Sequence, residues 1–280
     1  MGPSILTKPF PLVSDLFFVI ALLVLAGAIG DRILRILGIS QKELTTLERV
    51  ALCGALGLGI LQYVLLILGA LHVLSTVSVA LTLLALLVLF GSAIIGIVSS
   101  GVRYALRLHL AHGELMATTL AAAIVVALCV ALILSATPIS DSDGIGYHAS
   151  ALKWWMEAQT LAALPTFIHT FAPMGGELVM GLGFATWSDT SMKMTHWAFG
   201  TLTLVALYTS GSRLTNHIGR LVVAGLFLAF ALPLFSGAYI DLGVALYVAT
   251  ACLAWIRWQS SYDVRWPRRF VLLGLPRHSS

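Results

Sequence analysis

Two carboxylates and an imidazole share one short polar stretch of an otherwise apolar chain, Ser140-Asp141-Ser142-Asp143-Gly144-Ile145-Gly146-Tyr147-His148. Side chains of these types take up and release protons, and a membrane protein keeps charge where chemistry, transport or topology needs it. The chemistry predicted here is general-base catalysis. Asp143 would take the proton of an attacking hydroxyl, with partial desolvation lifting its pKa from a reference of about 4 toward working pH. An anionic leaving group would be met by a cation or by backbone donors, and His148, Lys153, His169 and Lys193 are the candidates. Asp143 and Glu177 are therefore the candidate catalytic carboxylates, and Asp141, Tyr147, His148, Lys153 and Asp241 the candidate substrate contacts.

Each residue also has a plainer role. Asp141 and Asp143 could cap a helix beginning near Gly144. Glu177 could be a solvated loop charge, Lys153 and Glu157 an i,i+4 surface pair, His148 a polar interfacial partner and Asp241 a helix end. No metal site is indicated: there is no His-Glu-x-x-His motif, and Cys53, Cys129 and Cys252 all lie in apolar runs, as small core residues do. The reaction requires no cofactor; a divalent metal is compatible with it but no motif points to one.

The elements that must position these residues are membrane helices. Of the 280 residues, 59% are hydrophobic and 10% charged, where a soluble domain carries about 25% charged. A span needs about 20 mostly apolar residues, which gives about seven candidates, near 11–30, 50–70, 75–98, 116–136, 194–211, 221–236 and 241–258. The runs lack the in-out alternation of a barrel, so the expected fold is an all-α polytopic bundle. Thirteen of the sixteen Lys and Arg fall on one side of these spans and Lys8, Lys153 and Lys193 on the other. That bias predicts an extracytoplasmic N-terminus and 137–193 loop and a cytoplasmic C-terminus. The net charge of +4 is scattered between apolar runs, which argues against nucleic acid as a partner. The expected organisation is a four-span region (1–136), the outer loop (137–193), a three-span region (194–258) and a basic tail (259–280).

Leu25-Ala26-Gly27-Ala28 looks like a signal-cleavage site, but cleavage would strand the Arg-rich 31–49 segment on the wrong side. Gly54-Ala55-Leu56-Gly57-Leu58-Gly59 has no preceding strand and predicts close helix packing, not a dinucleotide loop. In the outer loop, Tyr147, Ala151, Trp154, Trp155 and Ala158 recur at helical spacing and predict a helix in the membrane interface with its aromatics at headgroup depth. Leu178 to Trp187 is too short to span; it predicts a second interfacial helix or one that dips into the bundle.

The order of these features resembles the bacterial GT-C glycosyltransferases, multi-pass proteins akin to glycosyltransferase family 39. The resemblance rests on Asp143-Gly-Ile-Gly-Tyr147-His148, Pro173-Met-Gly-Gly-Glu177, Met192-Lys-Met-Thr-His-Trp-Ala-Phe-Gly200 and Ala238-Tyr-Ile-Asp241, and covers about residues 45–258. It implies a GT-C-like fold with juxtamembrane helices in the first outer loop, an essential loop carboxylate matched by Asp143, and a polyprenyl-phosphate-linked sugar as donor. Ala149 stands where members usually have Leu, and members usually continue for several more spans. The expectation is thus a sugar transferase of the bacterial inner membrane, or the N-terminal portion of one that works with a C-terminal partner or missing segment. The competing expectations are a multi-pass transporter and a truncated, non-catalytic membrane protein. A transporter would be expected to carry ionisable or broken segments inside its spans.

Overall fold

The computed structural model describes residues 11–39, 43–107, 114–163, 168–171, 174–186 and 188–261. The basic tail expected beyond position 261 lies outside the described residues, as do Pro165 and Pro173. Among the described residues every regular element is helical. The chain runs through α1 (Pro11–Ile36), α2 (Thr46–Ala70), α3 (Thr76–Leu89), α4 (Gly91–Arg107), α5 (Leu115–Ser135), α6 (Ala149–Ala158), α7 (Gly175–Thr186), α8 (Asp189–Ser210), α9 (His217–Phe235) and α10 (Asp241–Ser261).

Local sequence explains several of the helix starts. Thr45 and Glu48 form a reciprocal capping box at α2, Ser75 and Ser78 do the same at α3, and Ser188 and Asn216 cap α8 and α9. The chain bends by 68° between α3 and α4, at Phe90-Gly91. Glycine sets the tightest crossing, as the small-residue run predicts. A Cβ at Gly57 would lie 1.8 Å from the Ala26 carbonyl oxygen, and one at Gly30 would lie 2.0 Å from that of Cys53, so α1 and α2 meet backbone to backbone.

Five helices are long and apolar enough to cross a membrane, α1, α2, α5, α9 and α10, and six spans result if the bent α3–α4 pair counts as one. The remaining stretch of the seven expected is α8, which falls outside that set. Its physical position explains why: α8 packs against α1, α2, α5, α7, α9 and α10, and faces protein on nearly all sides. Lys193, Thr195, His196 and Thr203 are all buried there, so α8 carries polar groups that a lipid-facing helix would exclude.

The segment between α5 and α8 packs into this bundle. α7 contacts α2, α3, α6 and α8, and its Val179, Met180 and Leu182 are fully buried, so it is the dipping helix of the two alternatives. The expected aromatic face of α6 divides. Trp154 is exposed, whereas Trp155 is buried against protein with its Nε1 donating to the Ala162 carbonyl at 2.9 Å, because Ala151, Leu152 and Trp155 form the face that meets α7. At the opposite end of the bundle, Asp31 accepts from Arg35 and Arg49, and Glu48 pairs with Arg257, which ties α1, α2 and α10 together.

Candidate functional site

The turn leaving α5 is fixed by two charged side chains. Lys193 is buried, and its ammonium donates to the carbonyls of Thr137 (3.0 Å), Pro138 (3.3 Å) and Leu134 (3.4 Å) and to Thr137 Oγ1 (3.0 Å). An ammonium has three hydrogens. Lys193 is thus engaged in holding the end of α5. Asp141 accepts from the Gly144 N–H at 2.6 Å with Oδ1 and from the Ala238 N–H at 3.3 Å with Oδ2. Asp141 acts as a local cap and as a clasp to the α9–α10 turn.

Beyond Asp141 the backbone widens into a single π turn, Gly144–His148, in which the Ala149 N–H donates to the Gly144 carbonyl five residues back. Gly144 is required there: a Cβ would sit 2.5 Å from Asp141 Oδ1 and 2.7 Å from Ile139 Cγ2. Asp143 precedes the turn, is exposed, and makes no capping hydrogen bond. One helical turn on, the Tyr147 hydroxyl lies in the field of the Asp143 carboxylate. Burial, then the charges of Asp143, Glu177 and Asp241, push that hydroxyl above the usual tyrosine range, so it stays a neutral donor.

His148 points into protein. Its Nδ1 lies 2.9 Å from Glu177 Oε1, and both residues are 2% exposed, which excludes the solvated-charge role for Glu177. The second oxygen, Glu177 Oε2, is buried and hydrogen-bonds to nothing among the described residues. The Tyr147 ring is held between two imidazoles, stacked on His169 at 4.0 Å and tilted against His148 at 4.1 Å. Tyr239 presents its ring edge-on to both His148 (6.5 Å) and His196 (6.3 Å), and His196 Nε2 accepts from the Leu242 N–H at 3.2 Å, in the first turn of α10. Burial, then the charges of Asp141, Asp143 and Asp241, raise the Tyr239 hydroxyl as well.

The fold therefore brings together Asp141, Asp143, Tyr147, His148, His169, Glu177 and Asp241. Lys153 stands apart on the exposed face of α6. Tyr239 joins the group without having been singled out for it, and so does His196, a lesser candidate of the sequence beside His169. The available signal was the rarity of an ionisable residue in a buried span, which His196 satisfies. Among the described residues no three His, Cys, Asp or Glu side chains are placed to hold a metal ion.

Below this polar group lies an apolar cleft of about 560 Å³ between α1, α2 and α10. Gln62, Gly176 and Ile240 line its polar end and Leu34, Leu37 and Ala254 its far end. From Ile240 to Ala254 the helical rise amounts to about 21 Å. Gly176 and Ile240, at that end, immediately precede Glu177 and Asp241 in sequence, while no carboxylate is among the residues that line the cleft. Gly176 lets that end pack closely, because a Cβ there would meet Ile240 Cγ2 at 3.0 Å.

No protein-family model matches the chain, and neither a curated protein nor a solved structure does. The architecture defines the class, an all-α membrane bundle with a buried polar centre.

Proposed function

We propose that the chain is a membrane glycosyltransferase, or the N-terminal portion of one, that moves a sugar from a polyprenyl-phosphate carrier to an acceptor hydroxyl on the extracytoplasmic side. In this reading α8 and the bent α3–α4 pair complete seven spans, with the N-terminus outside and the C-terminus in the cytoplasm of a bacterial inner membrane. The supporting observation is an apolar cleft with Gly176 and Ile240 at one end, the residues that adjoin Glu177 and Asp241 in sequence. A substrate with a hydrocarbon tail and a polar head needs both environments side by side.

The residues divide the reaction as follows. Asp143, exposed and free of capping duty, takes the proton as the acceptor oxygen bonds to the anomeric carbon. The bond from that carbon to the phosphate oxygen breaks, and the carrier phosphate leaves with the electron pair.

The test is binding of a polyprenyl-phosphate sugar to the full chain in nanodiscs, with Gly59→Leu as the comparison. Gly59 lines the cleft and a Cβ there meets only Tyr247, at 3.5 Å, so the larger side chain fills the cleft without forcing the backbone. Binding by the parent and weakened binding by Gly59→Leu supports the reading. Uptake of a soluble solute into proteoliposomes, unaffected by Gly59→Leu, would favour a transporter instead.

A further inference from the structure

We propose that the end of the bundle opposite the polar centre carries a phosphoryl-group site, in which the Arg220 guanidinium and the Thr46 and Ser212 hydroxyls hold the oxygens of a phosphate ester or of free phosphate. A basin of about 380 Å³ opens there between the start of α2, the end of α8 and the first turn of α9, with Thr45, Thr46, Tyr208, Thr209, Ser212 and Arg220 in its wall. From Thr46 to Gln62, which lines the polar end of the apolar cleft, the helical rise of α2 amounts to about 24 Å. The basin is thus a separate place from the polar centre, and its role does not depend on the sugar-transfer reading.

Arg220 is fixed before any ligand arrives. Its Nε donates to the Tyr208 carbonyl at 2.9 Å, and its guanidinium carbon lies 3.9 Å over the Tyr208 ring. That ring is tethered in turn by a 2.9 Å hydrogen bond between its hydroxyl and His217 Nδ1. The Nη donors of Arg220 meet no acceptor among the described residues. Other arginines at this end are neutralised, since Arg35 and Arg49 face Asp31 and Arg257 faces Glu48. Glu48 itself is buried and held by Thr45 and Arg257, so its charge is already taken up.

The hydroxyls of the basin divide in the same way. Thr45 donates to Glu48 Oε2, and Thr209 donates to the carbonyls of Val205 and Ala206, so neither has a proton to offer a ligand. Thr46 and Ser212 make no side-chain hydrogen bond among the described residues. The basin wall therefore holds a preset cation and two hydroxyl donors without acceptors. A compact anion with several oxygens answers that inventory, and the planar fork of an arginine suits two phosphoryl oxygens at once.

The experiment follows the unfolding temperature of the full chain in a phosphate-free maltoside detergent while one of three probes is added: inorganic phosphate, dioctanoyl phosphatidylglycerol, or dioctanoylglycerol, which has the same tails and no phosphoryl group. A ligand that binds the folded chain raises that temperature with its concentration over its dissociation constant. The parent should respond to inorganic phosphate or to phosphatidylglycerol, and not to dioctanoylglycerol. A response to inorganic phosphate assigns a soluble phosphoryl ligand, and a response to phosphatidylglycerol alone assigns a lipid headgroup. Thr46→Asp places a carboxylate in the basin, and an acidic residue in the first turn of a helix favours folding, so this variant should be at least as stable as the parent and lose the response. Arg220→Gln should weaken the apparent affinity by about 10–100-fold, the scale of a hydrogen bond to a charged group. Gly59→Leu, which fills the apolar cleft, should leave the response intact, so the failure of the cleft reading and the failure of this one are seen separately. The absence of a response to either phosphoryl probe in the parent, an equal response to dioctanoylglycerol, or a full response in a folded Thr46→Asp protein overturns the proposal; the last of these decides the matter even where Arg220→Gln fails to fold.

Discussion

Asp141 clasps Ala238 across 97 positions of sequence: one carboxylate oxygen takes the Ala238 N–H while the other takes that of Gly144. Two outer turns, one before α6 and one before α10, are thereby held in a fixed relation, and Asp143 and Asp241 are carried with them.

The clasp predicts a stability effect. Asp141→Ala should destabilise the fold by about 1.5–3 kcal/mol for each hydrogen bond to the charged group that is lost, read as a lower unfolding temperature in detergent. Asp141→Asn retains one carbonyl oxygen and should lose less than Asp141→Ala. A variant as stable as the parent would show that the two turns are held by other contacts.

Lys193 makes a second prediction of the same kind. Because its ammonium serves three carbonyls and a hydroxyl at the end of α5, Lys193→Met should lower the unfolding temperature in the absence of any ligand. A phosphate-binding lysine would leave the unliganded protein unchanged and weaken only donor binding, so thermal scans with and without a polyprenyl phosphate separate the two roles.

What the sequence disclosed and what it hid follow from the range of the interactions. The apolar runs announced helices, the glycines of 54–59 announced close crossing, and Asp141 before Gly144-Ile-Gly announced a cap, since each depends on neighbours a few residues away. Glu177 read equally well as a loop charge, because the histidine that buries it lies 29 positions earlier. Lys193 read as a free cation because its acceptors are backbone carbonyls, which every sequence has. Trp155 read as interfacial because helical spacing gives the face a residue lies on, but not whether lipid or α7 meets that face.

The α1–α2 crossing supplies a prediction about packing. Gly57→Val puts side-chain atoms where the Ala26 carbonyl lies, so overpacking should cost about 1–3 kcal/mol or more and lower the monodisperse yield in size-exclusion chromatography. Gly91→Ala, at the bend between α3 and α4 with open space around its Cβ position, should leave that yield unchanged.

The proposed orientation is checked by cysteine labelling. Cys129 and Cys252 are exposed on their helices and are first replaced by alanine, while Cys53 is buried. In that background Ser142→Cys should react with a membrane-impermeant maleimide added to intact cells, and Asn216→Cys should react only after permeabilisation. Both positions are exposed, so access to solvent does not limit either one. Labelling of position 216 from outside would invert the map and move Asp143 away from an extracytoplasmic donor.

The reactive role of Asp143 gives the last prediction. Asp143 makes no capping bond, so Asp143→Asn should leave the unfolding temperature near the parental value, while a general base in sugar transfer contributes about 10²–10⁴-fold and its loss should lower transfer by that factor. Parental transfer by Asp143→Asn would rule out the carboxylate as base. Loss in Asp141→Asn alone, beyond what its weakened clasp explains, would shift the assignment two residues earlier.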